Sequence, residues 1–299
     1  MNPRLRATLR TVPGATAALA AVRRLVAPPA QPAPEAGTLN DQLQLNHGVG
    51  ERAQPFEVTS GIDSAQFATE VAERKWFHTF EFDNAVVGHG IDPSPDKIRY
   101  MGYPDSFEGL TVLDVGAFDG FFSFEAARRG ATDVLATDDL VWNWPGMTAR
   151  SNFEFVRTHT GLPVRDQVIT VEDLSPEAVG GQFDVVLFLG VLYHAPDPLG
   201  YLKRVRSITR KYVLVETVVD MLHIDRPALG YYPGEYLNGD GSNFFGPNLL
   251  ALEGLLLDAG FSQVENLGLW RTHEMERVRG VALPDTPPIS GRAVVRAWV

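Results

Sequence analysis

The sequence predicts an α/β chain: a Rossmann-like, mostly parallel seven-stranded sheet with helices on both faces and an antiparallel strand at one edge. Three observations lead there. Apolar runs of strand length alternate with helix-like runs from residue 111 onward. The string Val112-Leu113-Asp114-Val115-Gly116-Ala117-Phe118-Asp119-Gly120 passes from one such run to the next through a glycine-bearing loop. Eighteen residues beyond Gly120, a second apolar run ends on Asp138.

The elements follow in order. Asp63 or Ser64 caps a helix that reaches about Glu73. Trp76 to Phe82 reads as a strand or extended segment. Next come strand 111–115, helix 119–129, strand 133–137 and a helical stretch over 147–159. Strands 167–171 and 184–189 precede helix 198–208, which Asp197 and Pro198 open as N-cap and first-turn proline. Strand 212–217, helix 248–259 and strands near 262–269 and 291–298 complete the set. The closing pair has no helix between its members, which makes it the antiparallel edge. No internal repeat is visible.

Composition narrows the function. The chain has 299 residues, a formal charge of −11 and no cysteine. That excludes disulfides, thiolate zinc sites and a cysteine nucleophile. The seven histidines are scattered, so no metal is expected. An acidic body does not suit a surface that neutralises phosphates, so nucleic acid is not the expected partner. No apolar run is long enough to span a bilayer, and a cytoplasmic protein is expected. Nothing in the sequence sets an oligomeric state. Residues 1–37 form a basic arm and proline-rich linker, with five arginines, no acid before Glu35, and Pro28, Pro29, Pro32 and Pro34. A helical arm followed by an extended linker accounts for this composition; a transit peptide shares it. Residues 38–105 read as a helical and extended region covering the site, and 106–299 as the ligand-binding domain, with a lid insertion at 218–247.

In such folds ligands bind outside the carboxyl ends of the strands. Gly116 and Gly120 let backbone approach a ligand, and Asp138 offers a carboxylate to ribose hydroxyls, so the unit suits the nucleoside of a cofactor. The loop lacks the G-x-G-x-x-G spacing of dinucleotide sites, and an ordinary strand-to-helix turn would look similar. Three further segments fall at the same end: Val171-Glu172-Asp173, Gly190 through Tyr193-His194, and Glu216-Thr217. The connection 218–247 carries Tyr231, Tyr232, Tyr236, Phe244 and Phe245. Its length and aromatics read as a substrate-covering lid, with satellite core as the alternative.

The pattern Asp114-x-Gly116-x-x-x-Gly120 resembles the first motif of class I S-adenosylmethionine (SAM) methyltransferases, with Phe118 where the middle glycine is usual. With FDVVLFLGVLYHAPDPLGYL and YYPGEYLNGDGSNFFGPNLLALEGLLLDAGF, the chain from about Trp76 to its C-terminus looks like the branch that includes the bacterial tRNA wobble-uridine carboxymethyltransferase. Residues 1–60 lie outside the resemblance. It implies SAM as cofactor and S-adenosylhomocysteine (SAH) as product. Around them it places Asp114, Gly116, Ala117, Phe118, Gly120, Asp138, Asp139, Glu172, Asp173, Gly190 and Tyr193. Glu172 and Asp173 stand where relatives hold adenine, or else form an exposed acidic loop. Trp76, the lid aromatics and Arg292 face the acceptor. The tRNA enzyme holds the extra carboxylate of carboxy-SAM with a lysine, a tyrosine and an arginine. Tyr193 and Arg292 match two of these; the lysine is missing, and His78 is nearest to its place. Plain SAM is therefore expected over carboxy-SAM. In-line methyl transfer needs no metal, and His194, then His78, are the candidate bases. The expected activity is O- or N-methylation of a small molecule such as a sugar or secondary metabolite. A tRNA wobble-uridine methyl- or carboxymethyltransferase is the alternative, and a non-catalytic SAM-binding subunit a third class.

Overall fold

A computed structural model describes residues 43–237, 239–271 and 290–299; the basic arm and linker of residues 1–37 lie outside these. Ahead of the main sheet come β1 (Leu43–Leu45), α1 (Ser64–Ala72), β2 (Trp76–His78), β3 (Phe80–Glu81), β4 (Val87–Gly88), β5 (Gly90–Asp92) and α2 (Ser94–Lys97). Then follow β6 (Thr111–Val115), α3 (Phe121–Arg128), β7 (Asp133–Asp138), α4 (Leu140–Asn143), α5 (Ala149–Thr160), β8 (Val164–Val168) and α6 (Pro176–Val179). The chain continues through β9 (Phe183–Leu189), α7 (Pro198–Ile208), β10 (Thr209–Val219), β11 (Leu229–Tyr231), β12 (Phe245–Pro247), α8 (Leu249–Asp258), β13 (Gln263–Arg271) and β14 (Gly291–Trp298).

The main sheet has the order β1-β13-β14-β10-β9-β6-β7-β8. Strands β10, β9, β6, β7 and β8 are mutually parallel, and β14 runs antiparallel to both its neighbours. The expected sheet is present, with one addition. Short β1 pairs antiparallel with β13 at the edge and brings the count to eight. The chain winds outward from β6 through β7 to β8, then returns to β9 and β10 on the other side. Adjacent helices diverge at that switch point, and a crevice opens beyond the carboxyl ends of β6 and β9.

Capping follows the sequence closely. Asp63 accepts from the amides of Ala65 and Gln66 at the head of α1, and Asp197 accepts from Gly200 at the head of α7, with Pro198 in its first turn. Asn248 caps α8 through the amide of Ala251. Each such cap is worth about 1 kcal/mol.

Two apolar cores fill the two faces of the sheet. One is largely aromatic: Phe56, Phe67, Phe80 and Phe82 from the segment before β6 lock onto Phe121 of α3 and Phe155 of α5. Phe67 meets Phe82 edge-on at 4.9 Å, and Phe56 meets Phe121 at 5.9 Å. Such pairs add about 0.5–1.5 kcal/mol each beyond their buried area. This packing fixes residues 76–97 over the crevice. Among the described residues no helix is long and apolar enough to cross a membrane.

Candidate active site

A cavity of about 950 Å³ occupies the switch-point crevice. The strand ends supply Val115 and Gly116 (β6), Asp138 and Asp139 (β7), Ile169 to Glu172 (after β8), Leu189 and Gly190 (β9) and Glu216 (β10). The segment before β6 supplies Phe77, His78, Ile91, Asp92 and Lys97. Tyr193, His194, Asp240, Ser242, Asn243 and Phe244 close one side, and Arg292 enters from β14. Because β14 is antiparallel, its first residues lie at the carboxyl end of β10, with Arg292 opposite Val218. That register carries a residue near the chain's end into the site.

The β6–α3 turn is shaped for close approach. Gly116 has φ +76°, and a Cβ there would lie 2.5 Å from Val191 Cγ2. Phe118 is a non-glycine residue with φ 56°, a conformation that costs about 1 kcal/mol or more and that glycine adopts without strain. Its surroundings hold it there. The Phe118 amide donates to Asp138 Oδ2 at 3.1 Å, and its carbonyl accepts from Trp142 Nε1 at 2.6 Å. Its ring stacks on Phe77 at 4.3 Å and lines the cavity. Asp138 also accepts from the Val141 amide at 3.2 Å. With the Asp139 amide as a third backbone donor, the carboxylate keeps acceptor capacity for a further donor. Burial pushes the Asp138 carboxyl up to about 6, against the pull of those backbone N–H groups.

The opposite end of the cavity is built from two cation–carboxylate pairs and one histidine–carboxylate pair. Lys97 Nζ lies 2.7 Å from Asp92 Oδ2. Arg292 grips Glu216 with two nitrogens, one of them Nη2 at 2.7 Å from Oε2, and lies over the Tyr193 ring at 5.1 Å. His78 Nδ1 bonds to Asp119, whose other oxygen accepts from the amides of Phe77 and His78. Burial works against charge throughout this region, but the partners prevail. Asp92 is held down at about 2 by Lys97 and His78. Glu216 is held below the usual carboxylate range by Arg292 and Lys97. Burial presses His78 toward neutrality, yet the adjacent Asp119 carboxylate leaves its pKa raised. His194 differs: burial lowers its pKa, and its Nδ1 faces the Ser242 carbonyl at 3.1 Å.

The structure sorts the residues singled out from the sequence. Gly116, Phe118, Asp138, Asp139, Glu172, Gly190, Tyr193, His78, His194, Phe244 and Arg292 share the cavity. The others do not line it. Asp114 faces away, bonded to the Ser123 hydroxyl at 2.6 Å, and burial raises its carboxyl to about 6. Ala117 is buried beneath the turn. Gly120, at φ +87°, starts α3 where a Cβ would strike Phe153. Asp173 turns back to Thr170, and Glu172 at the cavity wall accepts from the Tyr201 hydroxyl at 2.6 Å. Trp76 is core: its Nε1 donates to Val71 and its ring packs on Phe80. In the connection 218–247, Tyr232 is buried against Asp220, Tyr236 stacks on Tyr232, and exposed Tyr231 pairs with Phe245.

The sequence reading missed Phe77, Asp92, Lys97 and Asp119. A lysine does line the cavity after all. It comes not from the Trp76–Thr79 segment but from α2, and Asp92 neutralises it. Asp119 stood inside the quoted glycine motif, and its burial beside His78 carries no sequence signal. Among the described residues no group of three or more His, Asp or Glu is placed to hold a metal ion.

A glycine-floored cavity with a strand-end carboxylate, at the switch point of this sheet, has the form that suits a nucleoside cofactor. Residues 86–266 match the family described as a methyltransferase domain, and the chain belongs to that family, the class I SAM-dependent methyltransferases. It is 28% identical over 167 residues to the tRNA U34 carboxymethyltransferase of Campylobacter jejuni strain RM1221, covering 56% of this chain and 54% of that protein. It is 38% identical over 164 residues to the ubiquinone biosynthesis O-methyltransferase of Cereibacter sphaeroides, covering 52% and 63%. The chain thus spans little more than half the length of the curated relatives it matches. Among solved structures, the N-terminal domain of EvdMO1, crystallised with SAH and D-fucose, shares the fold. Its TM-score is 0.58 at 20% identity, over 81% of this chain and 99% of that one.

Proposed function

We propose that this protein transfers the methyl group of SAM to a small, hydroxyl-bearing molecule, releasing SAH. One observation carries the reading: the acceptor end of the cavity is polar, buried and charge-balanced. The pairs Lys97–Asp92 and Arg292–Glu216 present donors and acceptors together without a net charge. Such walls suit a neutral polyol such as a sugar, whose hydroxyls both give and take hydrogen bonds. The pairing of SAH with D-fucose reported for EvdMO1 is consistent with this class.

The residues present fit the donor. Gly116 leaves the floor open where a side chain would collide, and Asp138 retains lone pairs for ribose hydroxyls. Glu172, Asp139 and the apolar Leu140, Val141 and Val171 flank the space beyond Asp138, where a purine would lie. SAM bound there supplies an electrophilic methyl on a sulfonium. The protein's part is to orient the acceptor hydroxyl in line, exclude water and take a proton. Ser242, Asn243 and Phe244 serve the second task, since the Phe244 amide bonds to the Tyr193 carbonyl at 2.8 Å and closes the lid onto the site.

Charge balance favours plain SAM over carboxy-SAM. An added carboxylate would meet Lys97 and Arg292 already paired with Asp92 and Glu216, and a buried charge without a free partner is costly. The kept pair of Tyr193 and Arg292 and the Campylobacter relative favour a second reading, alkylation of a tRNA wobble uridine. Labelled-methyl transfer from SAM, run against sugars and phenols in parallel with bulk tRNA, tests the two. Label in the small-molecule fraction supports the first reading, and label confined to tRNA replaces it with the second.

A further inference from the structure

We propose that His78, positioned by Asp119, is the group that takes the proton from the acceptor hydroxyl, while His194 serves as a latch for the lid. The inference rests on the methyltransferase reading above and assigns the base within it. Asp119 is completely buried and makes three bonds to one short segment: the Phe77 amide at 2.9 Å, the His78 amide at 3.2 Å and His78 Nδ1. Backbone and ring are fixed together, so the imidazole is held in one orientation. A carboxylate on Nδ1 also selects the tautomer whose lone pair sits on Nε2. That nitrogen makes no hydrogen bond to any described residue, and His78 lines the cavity.

The charged groups around the ring are Asp119 from the β6–α3 turn, Asp92 from β5, Lys97 from α2 and, coupled to it from β6, Asp114; Phe77, Phe118, Phe121 and Phe122 supply the apolar contacts. The carboxylates stabilise the imidazolium that proton transfer creates. His194 lacks such a carboxylate: a carbonyl on its Nδ1 also leaves the lone pair on Nε2, but supplies no bonded charge to hold an imidazolium. Its Nδ1 is engaged by the Ser242 carbonyl and lies 3.0 Å from the Ser242 hydroxyl, so its bonds go to the lid.

The step balances with the groups already named. The acceptor oxygen forms a bond to the methyl carbon as the sulfonium–methyl bond breaks, and that electron pair stays on sulfur to give SAH. The hydroxyl proton passes to His78 Nε2 and leaves for solvent after product release. No oxidant, reductant or metal enters.

Two readouts test the assignment. The first, ¹⁵N NMR of the histidine rings, with His78 identified by its loss in His78→Gln, needs no acceptor. Neutral His78 should carry its proton on Nδ1, and Asp119→Asn should abolish that preference. A proton on Nε2 in the wild type overturns the proposal. The second is methyl transfer to a panel of free hexoses, deoxyhexoses and phenols. His78→Gln should lower kcat by about 10²-fold or more with SAH affinity unchanged, and the rise of wild-type activity with pH should have its midpoint above 6.5. His194→Gln should act chiefly on KM. Full activity in His78→Gln overturns the assignment. A wild type that binds SAH, shows the expected tautomer and methylates nothing in the panel counts against the small-molecule acceptor, leaving the tautomer result to support His78.

Discussion

Asp138 offers the most direct route from geometry to a measured affinity. Its carboxyl is pushed up to about 6 by burial. Ribose hydroxyls donate to the ionised form, so ligand binding must pull that pKa back down, and affinity must rise with pH through the same range. At pH 5 a group with a pKa of about 6 is ionised in roughly one molecule in eleven; at pH 7.5 it is ionised in nearly all. SAH should therefore bind about tenfold more weakly at pH 5, a difference of about 1.4 kcal/mol. Asp138→Asn removes the titration and the charge. It should flatten that part of the pH dependence and cost about 1.5–3 kcal/mol at pH 7.5, the worth of hydrogen bonds to a charged acceptor. Calorimetry of SAH with both proteins from pH 5 to 8 reads both effects, and the difference between them cancels contributions from His78 and His194. An unchanged slope in Asp138→Asn would refute the placement of the ribose. The ligand-free protein should show the reverse sign. With a folded pKa above the unfolded one, the stability due to protonated Asp138 is complete below about pH 4 and is lost as pH rises through about 6.

Other consequences follow from the same site. Gly116→Val should abolish SAH binding, because φ +76° disfavours any side chain and the new Cβ would meet Val191; normal binding by calorimetry would reduce the turn to a structural role. Asp92→Asn frees the Lys97 cation and should raise the affinity for carboxy-SAM relative to SAM by about tenfold; an unchanged ratio in competition binding would show that Lys97 does not face the donor's methyl end. Turnover should survive exhaustive chelation, and loss with EDTA restored by a divalent ion would reveal ligands among residues outside those described.

Much of the fold was legible because it is local. Strand 111–115, helix 198–208 and strand 291–298 have the bounds read from apolar runs and caps. Strand β1 was not legible: three residues pair with β13 across more than two hundred positions, and nothing near Leu43 signals that partner. The part of the cavity lined by Gly116, Asp138 and Gly190 was readable because these residues sit at strand ends. The part lined by Asp92 and Lys97 was not. Lys97 reaches the cavity because β5 runs parallel to β2 and delivers α2 beside it, a juxtaposition set by tertiary packing. Of the aromatics in 218–247 only Phe244 lines the cavity, because neighbouring residues of an extended segment point to opposite sides. Tyr232 turns inward to Asp220 while Tyr231 turns out against Phe245. Asp114 belongs to the motif yet lies on the face of β6 that meets α3, where Ser123 takes its carboxylate.

The central claim is that a charge-balanced cavity methylates a small hydroxylated acceptor with plain SAM. Incubating the purified protein alone with methyl-labelled SAM, a mixture of small polyols and phenols, and bulk tRNA tests it in one measurement. The account predicts label in the small-molecule fraction, with one SAH formed for each methyl transferred. Label found only in tRNA, or transfer that requires carboxy-SAM, would contradict it.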